Sequence, residues 1–128
     1  MREEILKKMT GSPNRVDLEG MKINDHEIKE IIETIKKYKP TATIIDLDRN
    51  NITDTGAAIL SEQLRDFEKI TELRIQFNKI GREGAIHLFN LKKVFSDLDI
   101  LFRGNQINDV GEMDDIEQLA LLETPKLN

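Results

Sequence analysis

No cysteine occurs anywhere in the 128 residues, which excludes a disulfide framework, a thiolate metal site and a cysteine nucleophile. Positive charge is also in short supply. The chain has 19 basic against 24 acidic residues and a net charge of −5, whereas a general nucleic-acid binder needs a basic stripe against phosphates. No stretch approaches the length of a membrane span. Met1 to Thr10 is charged and amphipathic rather than the apolar run of a signal peptide. The Asn51-Ile52-Thr53 sequon is therefore read as accidental, and a cytoplasmic location is expected. Site motifs are missing too: there is no phosphate-cradling glycine-rich loop, no H-E-x-x-H and no nucleophile elbow. Gly81-Arg82-Glu83-Gly84 reads as a turn.

What the chain does have is a repeat. Thr43 to Gly56, TIIDLDRNNITDTG, reads as a short strand with Ile45 and Leu47 facing one way, then a turn at Asn50 and Ile52, then a helix start at Asp54-Thr55-Gly56. The pattern recurs as Val16-Asp17-Leu18 with Ile23, as Leu73-Arg74-Ile75 with Asn78 and Ile80, and as Ile100-Leu101-Phe102 with Asn105 and Ile107. Turn positions 21, 50, 78 and 105 lie 29, 28 and 27 residues apart, with Met21 in place of the first Asn. A fixed period holding one strand and one helix predicts a solenoid.

The segment Ile70-Thr-Glu-Leu73-Arg-Ile75-Gln-Phe-Asn78-Lys-Ile80 fits L-x-x-L-x-L-x-x-N-x-I at every core position, and helix starts of the type D-x-G-A follow. In this it resembles the leucine-rich repeat of the ribonuclease-inhibitor class, over roughly residues 14–111. The resemblance implies an α/β solenoid, a right-handed β-α superhelix with a curved parallel sheet on the concave face and helices on the convex face. It is nearly silent on function, because one fold hosts many binding roles.

Residues 1–13 are expected to form an N-terminal capping helix, with Ile5, Leu6 and Met9 on one face covering the open end of the solenoid. Repeats then start near 14, 43, 71 and 98. The first strand is expected at Arg15–Glu19. Its helix runs from about Asp25, whose side chain can cap free N–H groups, to Tyr38, with Ile28, Ile31, Ile32 and Ile35 as the buried stripe. The second helix spans about Thr55 to Phe67 and buries Ala57, Leu60 and Leu64. The third starts near Arg82 and buries Ala85, Leu88 and either Leu91 or Val94. In the fourth strand Leu98, Ile100 and Phe102 allow two registers. The later spacing favours Ile100 and Phe102 as the core pair, with Phe95 filling a gap near Asp97. Residues 112–128 are expected to be a C-terminal capping helix, carried by Ile116, Leu119, Ala120 and Leu122, with a frayed tail from Thr124 to Asn128.

Outward strand residues should stack into columns about 4.8 Å apart. These are Asp17, Asp46, Arg74, Leu101; then Glu19, Asp48, Gln76, Arg103; then Gly20, Arg49, Phe77, Gly104. Asp17, Glu19, Asp46 and Asp48 would make one half of the face acidic, and like charges across a sheet repel. A basic partner or a hard cation would answer that repulsion; so would neutralisation by Arg15 and Arg49. Phe77 and Leu101, beside Arg74 and Arg103, bring residue types enriched in binding hot spots, although Phe77 could instead tuck in beside Asn78. The Asn column reads as structural, and His26 and His87 have no ligand-spaced partners.

A protein-binding module is therefore expected, using Asp17, Glu19, Asp46, Asp48, Arg49, Arg74, Gln76, Phe77, Leu101 and Arg103. It is expected to be a monomer without enzymatic activity, cofactor or metal, and to bind neither nucleic acid nor membrane. GTPase-activating proteins carry similar but longer arrays, and the terminal domain of the actin-capping tropomodulins is similar in repeat type and size. The Lys-, Ile- and Asn-rich wording also resembles repeat proteins that intracellular bacteria deliver into host cells as effectors.

Overall fold

Four three-residue strands carry the repeat: β1 (Arg15–Asp17), β2 (Ile44–Asp46), β3 (Glu72–Arg74) and β4 (Asp99–Leu101). In the computed structural model, which describes residues 1–107 and 109–122, they form one parallel sheet in sequence order. The register aligns Val16, Ile45, Leu73 and Ile100, so the fourth strand takes the register with Ile100 and Phe102 in the core. Phe95 and Leu98 are buried there as well, and Phe102 meets Phe89 edge to face, ring centroids 5.9 Å apart. The first strand stops at Asp17 rather than Glu19, yet the hydrogen-bonded ladder continues. Gly20 N donates to Asp48 O, Arg49 N to Gln76 O and Phe77 N to Arg103 O, at 2.8–2.9 Å.

Helices return the chain behind the sheet. A short N-terminal helix, α1 (Glu3–Lys7), precedes β1. A 3-10 turn (Asp25–Glu27) leads into α2 (Ile28–Tyr38); α3 (Asp54–Leu64) follows β2. Next come α4 (Arg82–Phe89) with a 3-10 turn (Asn90–Lys93), and finally α5 (Val110–Leu122). Ile28, Ile31, Ile32 and Ile35 are fully buried, as are Ala57, Leu60, Leu64, Ala85 and Leu88. Leu91 joins this core, and Val94 faces solvent.

Three expectations change at the helices. In α1 only Ile5 is buried, joined by Met9 just beyond the helix, and Leu6 is 40% exposed, because adjacent residues on a helix sit about 100° apart and five residues present one narrow face. In α5, which begins at Val110, the buried residues are Ile116 and Ala120, one turn apart on the inward stripe; Leu119 and Leu122 lie off that stripe and are exposed. Asp25 does not cap its own helix, where Glu27 Oε1 accepts from Asn24 N at 3.0 Å. Its Oδ1 instead accepts from Thr53 N of the next repeat at 2.8 Å, and Thr53 Oγ1 donates to its Oδ2. Asp54 repeats the move one unit on, accepting from Gly81 N and Gly84 N at 2.7 and 3.1 Å. The room for Asp25 comes from Gly56, where a Cβ would fall 2.2 Å from Asp25 Oδ1. The tail expected from Thr124 to Asn128 lies outside the described residues.

Candidate protein-binding face

Alternation along a strand sends residues on either side of each core position to the concave face. The register accordingly stacks Arg15, Ile44, Glu72 and Asp99 in one column and Asp17, Asp46, Arg74 and Leu101 in the next. Arg15, Ile44, Glu72 and Asp99 complete the face and belong with the predicted residues. The signal for them was present, since they precede each core residue by one, as the predicted column follows it by one.

The acidic half is not an open patch. Asp46 is 3% and Asp48 5% exposed, which corrects their expected place as contact residues. Asp46 Oδ1 accepts from Asp48 N at 3.0 Å, and its Oδ2 from Arg15 at 3.2 Å. Asp48 Oδ1 accepts from Gln76 N at 2.7 Å, and its Oδ2 from Arg74 Nε at 3.2 Å and Gln76 Nε2 at 3.3 Å. Arg74 also lies 3.6 Å from Asp46 and 3.5 Å from Glu72. Buried charges persist only when paired and hydrogen-bonded, so two arginines and a glutamine from neighbouring strands draw these carboxylates down and cover them. Arg74 and Gln76 are thereby partly engaged within the protein.

Burial pushes the Asp46 carboxyl above the ordinary carboxylate range. The charges of Asp48 and Asp17 act in the same direction, against the Asp48 N–H bond and Arg74. A carboxyl with a raised folded pKa adds stability below its unfolded pKa of about 4, and that stability is lost as pH rises through the folded value. Asp46→Asn abolishes this titration. The stability of the natural protein relative to Asp46→Asn should therefore fall as pH rises above about 4, as read by urea titration at each pH. A difference that grows with pH would show instead that pairing with Arg15 and Arg74 outweighs burial.

Asp17 and Glu19 stay exposed. Together with Asp46 they can bring one oxygen each within 4.8 Å of one another, but Asp46 already faces Arg15 and Arg74, and Glu19 lies 3.3 Å from Arg49. Arginines of the protein itself thus already pair with two of these three carboxylates.

The strand exits hold the sharper feature. Gly20, Arg49, Phe77 and Gly104, at equivalent positions, all adopt left-handed backbone, with φ of 64°, 59°, 56° and 80°. For an L-residue this conformation costs roughly 1–2 kcal/mol, yet the two middle repeats carry Arg and Phe. The Arg49 guanidinium lies 4.4 Å from the Phe77 ring centroid, within cation–π range. On the other side the ring covers Gly104, where a Cβ would fall 2.3 Å from Phe77 Cδ1. Phe77 is therefore not tucked away beside Asn78; it is wedged between Arg49 and Gly104 and remains 39% exposed. The role of Gly104 was not readable in the sequence, because it depends on which way the neighbouring ring folds. Leu101 is half-buried, Arg103 is exposed, and both histidines are exposed.

Comparison with known proteins agrees with this geometry. The leucine-rich-repeat family matches residues 41–61 and 68–89. Protein phosphatase 1 regulatory subunit 37 of Rattus norvegicus is 32% identical over 90 residues, 67% of this chain and 12% of that protein. The Homo sapiens protein of the same name is 32% identical over 88 residues, 66% of this chain and 12% of that one. FERM domain-containing protein C of Dictyostelium discoideum is 29% identical over 68 residues, 53% of this chain and 5% of its own. This chain thus spans a small part of the curated relatives it matches. Among solved structures, leiomodin-1 actin-binding site 2 superposes with a TM-score of 0.70 at 18% identity, covering 91% of this chain and 68% of that one. At that identity the likeness is one of fold.

Proposed function

Because the chain is a small leucine-rich-repeat protein, we propose that it binds another protein through its concave face and acts by binding rather than by catalysis. The observation that carries the reading is the exposed Phe77 ring, held on costly backbone between Arg49 and Gly104. Tyr, Trp and Arg lead among hot-spot residues, and an aromatic ring brings large contact area at small conformational cost. Arg49, Leu101, Arg103, Asp17 and Glu19 flank the ring, and Arg74 and Gln76 form the floor. Asp46 and Asp48 act from beneath by holding that floor in place.

Relatives named as phosphatase regulatory subunits support a role in binding a protein, without naming which. An actin-binding role rests on the leiomodin likeness alone, and no residue of this face argues for it over another protein partner. Neither the relatives nor the face supports the GTPase-activator or bacterial-effector settings.

A photo-crosslinking residue placed at Leu101 or Arg103 should capture a protein partner from cell extract, and the same residue at Lys29 or Lys37 on α2 should not. With that partner purified, Phe77→Ala should weaken binding by about 1–2 kcal/mol and leave the far-UV spectrum unchanged. Capture from the α2 positions alone would move the interface to the helical side.

A further inference from the structure

The turns that follow the four strands carry one outward cation per repeat. Lys22, Arg49, Lys79 and Arg103 are all exposed. Backbone bonds keep these turns in step: Asn51 N donates to Ile23 O, Lys79 N to Ile52 O and Gln106 N to Ile80 O, at 2.8–2.9 Å. Lys22, Asn51, Lys79 and Gln106 thus occupy equivalent sites, next to the column of Arg49 and Phe77. Among the described residues of these turns the exposed carboxylates are Glu19, which pairs with Arg49 at 3.3 Å, and Asp109, whose Oδ1 accepts from Gly111 N at 2.9 Å at the start of α5. Lys22, Lys79 and Arg103 have no ion pair among the described residues. The chain as a whole carries a net charge of −5, so an exposed cation in each of four successive turns is a local departure from its overall sign.

We propose that this strand-exit rim is the docking edge for an extended acidic segment of a partner protein, with carboxylates on the four cations and an apolar side chain on Phe77. The inference rests on the concave-face reading above and gives it a partner chemistry. The four cations come from successive repeats and are staggered along the strand direction, with Lys22 and Lys79 in one column, Arg49 in that of Phe77 and Arg103 in that of Gln76. Across the sheet they cover three inter-strand steps, roughly 15 Å, which is the reach of four to five extended residues. Phe77 sits within that span, fixed by Arg49 above and Gly104 below, so little ordering is needed when a side chain covers it. The cations would set encounter rate and direction, and the ring would supply affinity. A nucleic acid fits less well, since a duplex too wide for the rim would also spread over the adjoining sheet, where Asp17 and Asp99 are exposed, whereas an extended peptide can stay on the rim.

The test uses the full chain and fluorescence anisotropy with a labelled synthetic peptide of glutamates around a central phenylalanine. A second peptide has glutamine in place of every glutamate, and heparin serves as a polyanion without an apolar group. The glutamate peptide should bind at least about tenfold tighter than the glutamine peptide at low salt, and the gap should close as salt rises. The pair Lys79→Glu and Arg103→Glu should abolish the gap, Phe77→Ala should weaken both peptides, and Lys29→Glu with Lys37→Glu should change nothing. Equal binding of the two peptides, or a gap that survives the rim charge reversals, would overturn the proposal. Heparin binding as tight as the glutamate peptide, together with no effect of Phe77→Ala, would overturn it in favour of a bare polyanion site. Capture at Leu101 and Arg103 with no peptide discrimination would strike this inference alone; loss of both would strike the concave-face reading as well.

Discussion

Asn50→Ala is expected to cost about 3–5 kcal/mol of folding stability, more than truncating most side chains of its size. Asn50 is 5% exposed and ties two repeats together. Its Oδ1 accepts from Met21 N at 3.0 Å and Ile23 N at 2.9 Å. Its Nδ2 donates to Leu18 O and Leu47 O at 3.0 Å and to Asp48 O at 3.2 Å. Alanine would strand backbone donors and acceptors that no strand reaches, at about 1–3 kcal/mol for each group left without a partner. Partial entry of water keeps the total below the full sum. Asn50→Asp is the sharper control. It keeps the shape and the Oδ1 acceptor but replaces the Nδ2 donor with a carboxylate oxygen facing three carbonyl oxygens, so its loss should be larger at pH 7 than near pH 4, where the new carboxyl can be protonated. Urea titrations of both variants check this, and a loss below about 1 kcal/mol for alanine would mean that water satisfies the turn.

The same bridge recurs at Asn78, which accepts from Ile52 N and donates to Leu47 O and Ile75 O, and at Asn105, which accepts from Ile80 N and donates to Ile75 O and Phe102 O. Each Asn therefore serves the repeat before its own. Met21 stands at the equivalent position of β1, an edge strand of the described sheet with no earlier turn beside it to bridge, and it packs against the core.

Leu73→Ala is expected to cost about 2–5 kcal/mol, the range for large-to-small changes in a core. Leu73 is fully buried and is paired in register with Ile45 on one side and Ile100 on the other. In a stacked array each unit is held by its neighbours, so a cavity in an inner strand weakens two interfaces at once. Ile100→Ala, in the edge strand where the residue is 8% exposed, should cost less. Denaturant titration of the pair checks the order, and a loss under about 0.5 kcal/mol at Leu73 would contradict the register.

Much of this was legible from residue order. The 29, 28 and 27 residue spacing, the paired apolar positions and the turn Asn are short-range patterns, and each repeat rewrites them, so one ambiguous repeat is read by its neighbours. The register of the fourth strand is the example: Leu98, Ile100 and Phe102 are equivalent locally, and Asn105 decided between them. The cap residues were less legible. Leu6 and Leu119 look as apolar as Ile5 and Ile116, but a single face of a short helix has room for only some of them.

The sequence by itself determined the repeat, the sheet order and the core, because backbone periodicity and apolar burial are set by nearest neighbours along the chain. It also determined the concave-side columns that follow each core residue, though the column that precedes it, Arg15, Ile44, Glu72 and Asp99, was added from the register. Only the tertiary structure decided what those residues do there. Asp46 and Asp48 became a buried support and not a contact patch, since Arg15, Arg74 and Gln76 arrive from other strands to cover them. Phe77 became an exposed, fixed ring because Gly104, a full repeat later, leaves space for it and Arg49, a full repeat earlier, lies over it. Charge pairing and ring packing act between side chains brought together by stacking, over distances that sequence order does not measure.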